Sequence, residues 1–250
     1  MTNELLNIFR AEQGIVCCVG AGGKKTTMFR LAREHAGRVG LTTSAHIEYF
    51  PRNLSACCYV AEETELLQSL RDDNDSRVIA FATPSQRTGR HAGIAPERID
   101  AFYRGGRFDL LLVKSDGARS RLIKAPNDNE PPLPEHADTV IPVVSARVIG
   151  RRLNEKIAHR PERIATISGA AIGDSLQPEH LARLLAAPEG ALKNTGQASV
   201  VPLINMVDDT ERTELARAAA EQALALTHRF DYVVLATMRA EQPIVDIVRR

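Results

Sequence analysis

The sequence predicts an α/β fold, a mostly parallel sheet with helices on both faces in three layers. Two observations predict it. Short apolar runs rich in Val, Ile and Leu alternate with helical periodicity along the 250 residues. The first apolar run also leads through a glycine-rich loop straight into a helix, the order a phosphate-binding loop requires. The expectation is one P-loop NTPase-like domain over residues 1–250, with residues 117–160 as a long loop or small insertion covering the site.

The elements follow in order. Residues 3–12 carry Leu5, Leu6 and Phe9 at helical spacing and predict a short amphipathic helix, ended by Gly14. Residues 15–19 are a short buried strand, and helical character runs over 26–35 after the glycines. Strands are expected at 39–42, 57–60 and 78–82, with a helix at 62–71 between the last two. A helix with Pro near its start is expected over 96–103. Residues 108–113, FDLLLV, form the clearest buried strand. Residues 117–136 then turn rich in Pro, Asn and charge, and long ordered loops of this sort are commonly functional. Further strands are expected at 139–144, 199–204 and 232–236, and helices at 178–187 and 210–226.

Composition narrows the function classes. Hydrophobic residues at 44% and charged residues at 25% suit a soluble globular chain. A net charge of +1 gives no global basic field for nucleic acid, so none is expected as a partner. No apolar run approaches the roughly 18 residues of a membrane span, so no membrane association is expected. The four Cys stand as adjacent pairs, Cys17-Cys18 and Cys57-Cys58, without zinc spacing. With no signal peptide at the start, a reducing, cytoplasmic setting is expected. The sequence does not indicate an oligomeric state.

The chemistry concentrates at Gly20, Ala21, Gly22, Gly23, Lys24, Lys25, Thr26 and Thr27. Glycines let backbone N–H groups close on phosphate, the helix N-terminus faces the anion, and Lys24 reaches the outer phosphates. The standard pattern G-x-x-x-x-G-K-[ST] is broken twice: Cys18 stands at the first Gly, and Lys25 replaces the hydroxyl residue that holds Mg²⁺. Thr26 or Thr27 is left to supply that hydroxyl. A dinucleotide site, as in an NAD(P)-dependent oxidoreductase, would want G-x-G-x-x-G. Gly20 and Gly22 fit it, but Lys25 stands third. Asp116 follows the FDLLLV strand, where an acid contacts Mg²⁺ in nucleotide sites; a turn Asp before Gly117 is the plain alternative. Asn205-Met206-Val207-Asp208 resembles the base-reading N-K-x-D with Met for Lys, while Asp208 could equally cap the next helix.

Taken together, VGAGGKKTTMFRLA, LTTSAHI, SDGARSRLIKAP with EPPLP, AHRPE and LINMVDD resemble the YqeC family of accessory proteins for selenium-dependent molybdenum hydroxylases. The likeness runs in order over residues 15–236, and the DGAR…KAP…EP block is its most specific part. It implies a P-loop-like fold and a role in making or delivering a selenium-modified molybdenum cofactor. A molybdopterin-type cofactor and a molybdenum hydroxylase would then be partners. Lys25, Lys114 and Met206 depart from the family pattern.

A second wall is expected from Arg119, Lys124 and Glu130, with Thr43 and Arg160 also placed to meet a second substrate. His159 is the candidate general base. The expected function is binding of a nucleoside triphosphate, ATP foremost, with Mg²⁺ held by Thr26 and Asp116 and with Lys24, Asp116 and His159 as catalytic groups. The competing expectation is a carrier that holds an anionic pterin nucleotide without turnover.

Overall fold

Alternation along the strands sorts the apolar side chains into two faces. In the computed structural model, which describes residues 3–51 and 54–250, the chain opens with α1 (Glu4–Ile8), β1 (Gly14–Gly20), α2 (Lys24–Glu34), β2 (Val39–Thr43), β3 (Ile47–Glu48) and β4 (Cys57–Val60). It continues through α3 (Glu63–Asp72), β5 (Val78–Ala82), β6 (Arg90–His91), α4 (Ile99–Gly105), β7 (Leu110–Lys114), β8 (Ile123–Lys124) and β9 (Thr139–Ser145). Then come β10 (Ala158–His159), α5 (Pro161–Ser168), α6 (Pro178–Ala186), β11 (Ser199–Val200), β12 (Leu203–Asn205), α7 (Thr210–Leu226), β13 (Tyr232–Ala236) and β14 (Ile244–Arg249).

The main sheet has the order β14-β13-β12-β9-β1-β7-β2-β5-β4, with β11 also on β9. Its pairings are parallel except β13 with β14. In β1, Val16 and Cys18 join Met28 and Leu31 of α2 on one face. Ile15, Cys17 and Val19 join Leu66, Leu70 and Phe102 of α3 and α4 on the other. The β7 run splits the same way, with Leu110 and Leu112 against α2 and Leu111 and Val113 opposite. The helices α6 and α7 cover the other half of the sheet through Val144, Ile204 and Leu235. Each fully buried Leu, Ile or Val contributes about 1.5–3 kcal/mol of transfer free energy. This is the three-layer, mostly parallel architecture the sequence predicts.

Local chemistry explains the differences from expectation. The strand expected at 199–204 is divided into β11 and β12, because Pro202 has no N–H for the ladder. The helix expected from residue 96 begins as a 3₁₀ turn, Pro96–Arg98, before α4. Within residues 117–160, β9 lies in the main sheet, and β8 pairs with β10 in a small parallel sheet. That pairing ties the Pro-rich stretch to the His159-Arg160 segment. Cys17 and Cys18 are fully buried free thiols within β1.

Strand β1 lies between β7 and β9, and β2 lies beyond β7. The chain therefore leaves β1 toward one half of the sheet and later returns to build the other. Ligands of open parallel sheets bind at such a switch point, at the C-terminal strand ends. The glycine loop sits there.

Candidate functional site

The loop is built by residues that only glycine can replace. Gly20, Gly22 and Gly23 have φ of 86°, 93° and 131°, a region that L side chains rarely adopt. A Cβ on Gly22 would stand 2.6 Å from the Ser145 amide nitrogen. The loop is pinned from behind. The Ala21 N–H donates to the Val143 carbonyl at 2.8 Å. The Asn205 side-chain amide donates to the Gly22 carbonyl at 2.8 Å and accepts from the Met238 N–H at 3.1 Å. Among the described residues, the amides of Gly22, Gly23, Lys24, Lys25 and Thr26 have no acceptor. No side chain caps α2, and its first turn holds no acid. Free amides and the positive end of the helix dipole thus converge on one opening.

Beneath the loop lies a buried charge cluster. Lys24 pairs with Asp116 Oδ1 at 2.7 Å and also donates to the Gly20 carbonyl. Lys124 lies 3.0 Å from Asp116 Oδ2, donates to the Gly117 carbonyl at 2.7 Å and pairs with Glu130 at 2.7 Å. The Gly20 N–H donates to Asp116 Oδ2 at 2.9 Å. Arg160 closes the chain on Glu130 at 2.6 Å. Burial alone would raise the Asp116 carboxyl, but the Lys24 and Lys124 charges outweigh it and hold it below the usual range. Burial lowers Lys24 despite its Asp116 partner. Glu130 is held low because hydrogen bonds from Arg160 and Lys124 outweigh its desolvation.

The loop opens on a cavity of about 420 Å³ lined by nine Lys and Arg side chains against two Glu. Lys24, Lys25, Lys114, Arg119, Arg121 and Arg160 are among them, and Arg87, Arg90 and Arg239 complete the set. Lys25 pairs with Glu48 of β3. Burial and the neighbouring Lys24 charge push Lys114 down to about 7. Burial, then the Arg160 charge, push His159 down to about 4. His159 is therefore neutral at pH 7 and a weak base. A larger cavity of about 870 Å³ lies at the opposite end of the strands, beside Gly14, Thr139 and Tyr232. The C-terminal end of α1, at Asn7 and Ile8, also lines it.

Most of the sequence-predicted site residues meet here. Ala21, Gly22, Gly23, Lys24, Lys25, Thr26, Arg119, Glu130, His159 and Arg160 line the cavity. Gly20, Asp116 and Lys124 line a smaller void directly beneath it. Thr27 is buried, and its hydroxyl donates to the Gly23 carbonyl at 3.1 Å. Thr43 is fully buried, and its hydroxyl donates to the Lys114 carbonyl at 2.6 Å. Asn205 acts as a strut behind the loop. Asp208 pairs with Arg147 at 2.7 Å, and the cap of α7 is the next residue, Asp209, which accepts from the Arg212 N–H at 2.8 Å. Sequence reading missed Arg87, Arg90 and Arg239. No motif marks them, and only the β3–β6 pairing and the tertiary fold bring them to the cavity.

Both Asp116 oxygens are engaged by ammonium groups, Lys25 occupies the usual hydroxyl position, and Thr26 offers one oxygen alone. No cluster of three or more His, Cys, Asp or Glu with metal-binding geometry occurs among the described residues.

The family model described as YqeC protein matches residues 16–162, which span β1, the loop, the Asp116 cluster and the start of α5. The protein described as Uncharacterized protein YqeC, from Escherichia coli (strain K12), is 30% identical over 186 residues, covering 73% of this chain and 72% of that relative. The loop, its buried acid and the β8–β10 pair thus fall inside the matched region, and the chain belongs to the YqeC family.

Proposed function

We propose that this chain binds a nucleoside triphosphate, ATP foremost, on the glycine loop. In this reading it is an accessory protein in the maturation of a selenium-modified molybdenum cofactor for molybdenum hydroxylases. One observation carries the first half: unpaired amides at the head of α2 open into a cavity with nine basic side chains. Polyanion capture is the chemistry such a site supports. The pathway rests on the motif resemblance and on family membership.

Side-chain pairing favours capture over rapid hydrolysis. Asp116 is neutralised twice, Glu130 is paired with Lys124 and Arg160, and His159 is a weak base. Among the described residues that line the cavity, both carboxylates are paired with cations, and burial lowers the basicity of both imidazoles, His46 and His159. A carrier that holds a pterin nucleotide is the second reading, favoured by the same pairing. Lys24 is drawn down onto Asp116, and bound phosphates would draw it up toward the loop.

A thermal-shift panel with ATP, GTP, CTP, NAD⁺ and a pterin nucleotide tests this. A ligand at about 100 times its Kd adds about 2.7 kcal/mol. The expected result is a shift with ATP that depends little on Mg²⁺ and is lost in Lys24→Ala. Unchanged ATP affinity in Lys24→Ala would sink the assignment.

A further inference from the structure

The nucleotide reading uses the loop and Lys24 and leaves one buried cation unexplained. Lys114 ends β7, in register with Cys18 of β1 and Thr43 of β2. It is 8% exposed and lines the cavity. Its ammonium donates to the His46 carbonyl at 2.7 Å, and it forms no ion pair among the described residues. Lys24 and Lys124 each have a carboxylate; Lys114 has none. A buried charge with one carbonyl partner is costly unless something compensates it. The four residues before it, Leu110 to Val113, are all apolar, and an apolar side chain there would avoid that cost.

The wall around Lys114 is basic as well. The antiparallel pair of Ile47–Glu48 with Arg90–His91 brings Arg90 to the cavity, and Arg87 lines it too. The nearby acids are already engaged, Glu48 by Lys25 and Asp116 by Lys24 and Lys124. Lys24, Lys25 and Arg160 of the cavity are paired with acids, whereas Lys114, Arg87 and Arg90 have no carboxylate partner among the described residues.

We infer that Lys114, with Arg87 and Arg90, forms a second oxyanion subsite beside the glycine loop, for a compact tetrahedral oxyanion of the phosphate class. The inference rests on the nucleotide reading only in taking the loop as the seat of a first phosphate chain. The oxyanion is either the outer phosphate of the bound nucleotide or a separate co-substrate.

Inorganic phosphate is titrated calorimetrically into the full chain, alone, saturated with ADP and saturated with a non-hydrolysable ATP analogue. The wild type is compared with Lys114→Met, and with an Arg87→Gln/Arg90→Gln double variant should Lys114→Met misfold. The expected result is phosphate binding to the wild type that weakens about tenfold or more in these variants, with ADP affinity weakened by a smaller factor than phosphate affinity. Phosphate that adds to the ADP-loaded protein but is excluded by a non-hydrolysable ATP analogue identifies the outer phosphate, because ADP leaves that position vacant. Phosphate that adds to the analogue-loaded protein as well identifies a separate co-substrate, and phosphate excluded by ADP itself occupies the glycine loop and overturns the subsite. Wild-type affinity for phosphate in the folded variants overturns the subsite, as does no phosphate binding to the wild type in any state. Should ADP fail to bind, the nucleotide reading fails by itself and the phosphate titration without ADP still decides.

Discussion

Replacing Asp116 by Asn removes one negative charge and almost no volume from the centre of the cluster. In the wild type that charge faces Lys24 at 2.7 Å and Lys124 at 3.0 Å and accepts the Gly20 N–H at 2.9 Å. Lys124 keeps Glu130 at 2.7 Å, whereas Lys24 keeps only the Gly20 carbonyl. Breaking a buried pair from one side costs about 3–5 kcal/mol, and the surviving Glu130 contact points to the lower end. At about 2.1 cal/mol/K per residue, the unfolding entropy here is about 0.5 kcal/mol/K, so ~3 kcal/mol lowers Tm by about 6 °C. The folded carboxyl is held below its unfolded value. Its contribution is therefore complete above pH ~4 and is lost as pH falls through the folded pKa. The assay is calorimetric unfolding at pH 7 and in acid: the wild type and Asp116→Asn differ most at pH 7 and converge at low pH. ATP should raise the Tm of Asp116→Asn more than that of the wild type, because it supplies the charge Lys24 has lost. A Tm at pH 7 within about 1 °C of wild type would refute the reasoning.

Three further outcomes are expected. Gly22→Ala forces a side chain into φ of 93° and against the Ser145 amide. It should cost at least about 1–3 kcal/mol, read as a lower urea midpoint, and ATP binding should be lost with it. Burial drives the Cys17 thiol up to about 12 and raises Cys18, while Cys58 is exposed. A thiol reagent at pH 8 should label Cys58 in the native state and reach Cys17 and Cys18 only on unfolding, and fast native labelling of either would contradict their burial. Burial alone would raise the Asp73 carboxyl, but hydrogen bonds from Ser76 and Tyr59 and the Arg38 charge hold it at about 2. Wild-type stability should therefore exceed that of Asp73→Asn above pH ~4 and lose this advantage between pH ~4 and ~2, as acid titrations followed by circular dichroism can check.

Periodicity carried the central strands and long helices because each is satisfied locally. The runs at β5, β13 and α7 are apolar at the spacing their burial demands, and the glycines of the loop declare their positive φ directly. The edges were less legible. Strand β14 pairs antiparallel at the rim with only Val248 buried, so it shows no clean apolar run. The two-residue strands β3, β6, β8 and β10 exist only through partners far along the chain. The site divided in the same way. Lys24 and Asp116 were visible because a motif and a strand end mark them. Thr43 and Asp208 have the right residue type in the right segment, yet their oxygens go to the Lys114 carbonyl and to Arg147. Residue type does not reveal which partner wins that competition, since the partners come from other strands.

Four of the six lysines in the chain, Lys24, Lys25, Lys114 and Lys124, gather at this one place. Arg outnumbers Lys elsewhere, so general surface charge does not explain the choice. An ammonium is a compact point charge that loses its proton readily when buried, whereas a guanidinium stays charged and prefers flat, forked partners. Lys24 and Lys124 share the carboxylates of Asp116 and Glu130, and Lys25 takes Glu48. Under the proposed reading each lysine would turn to an anion by rotating a single side chain, in competition with these acids. On this argument ligand affinity is limited by competition with Asp116, and weakening that carboxylate should tighten anion binding while it destabilises the fold. A protein selected for fast phosphoryl chemistry would place that acid toward the metal and the water. Here it faces the lysines, which favours the proposed reading of capture over that of rapid hydrolysis.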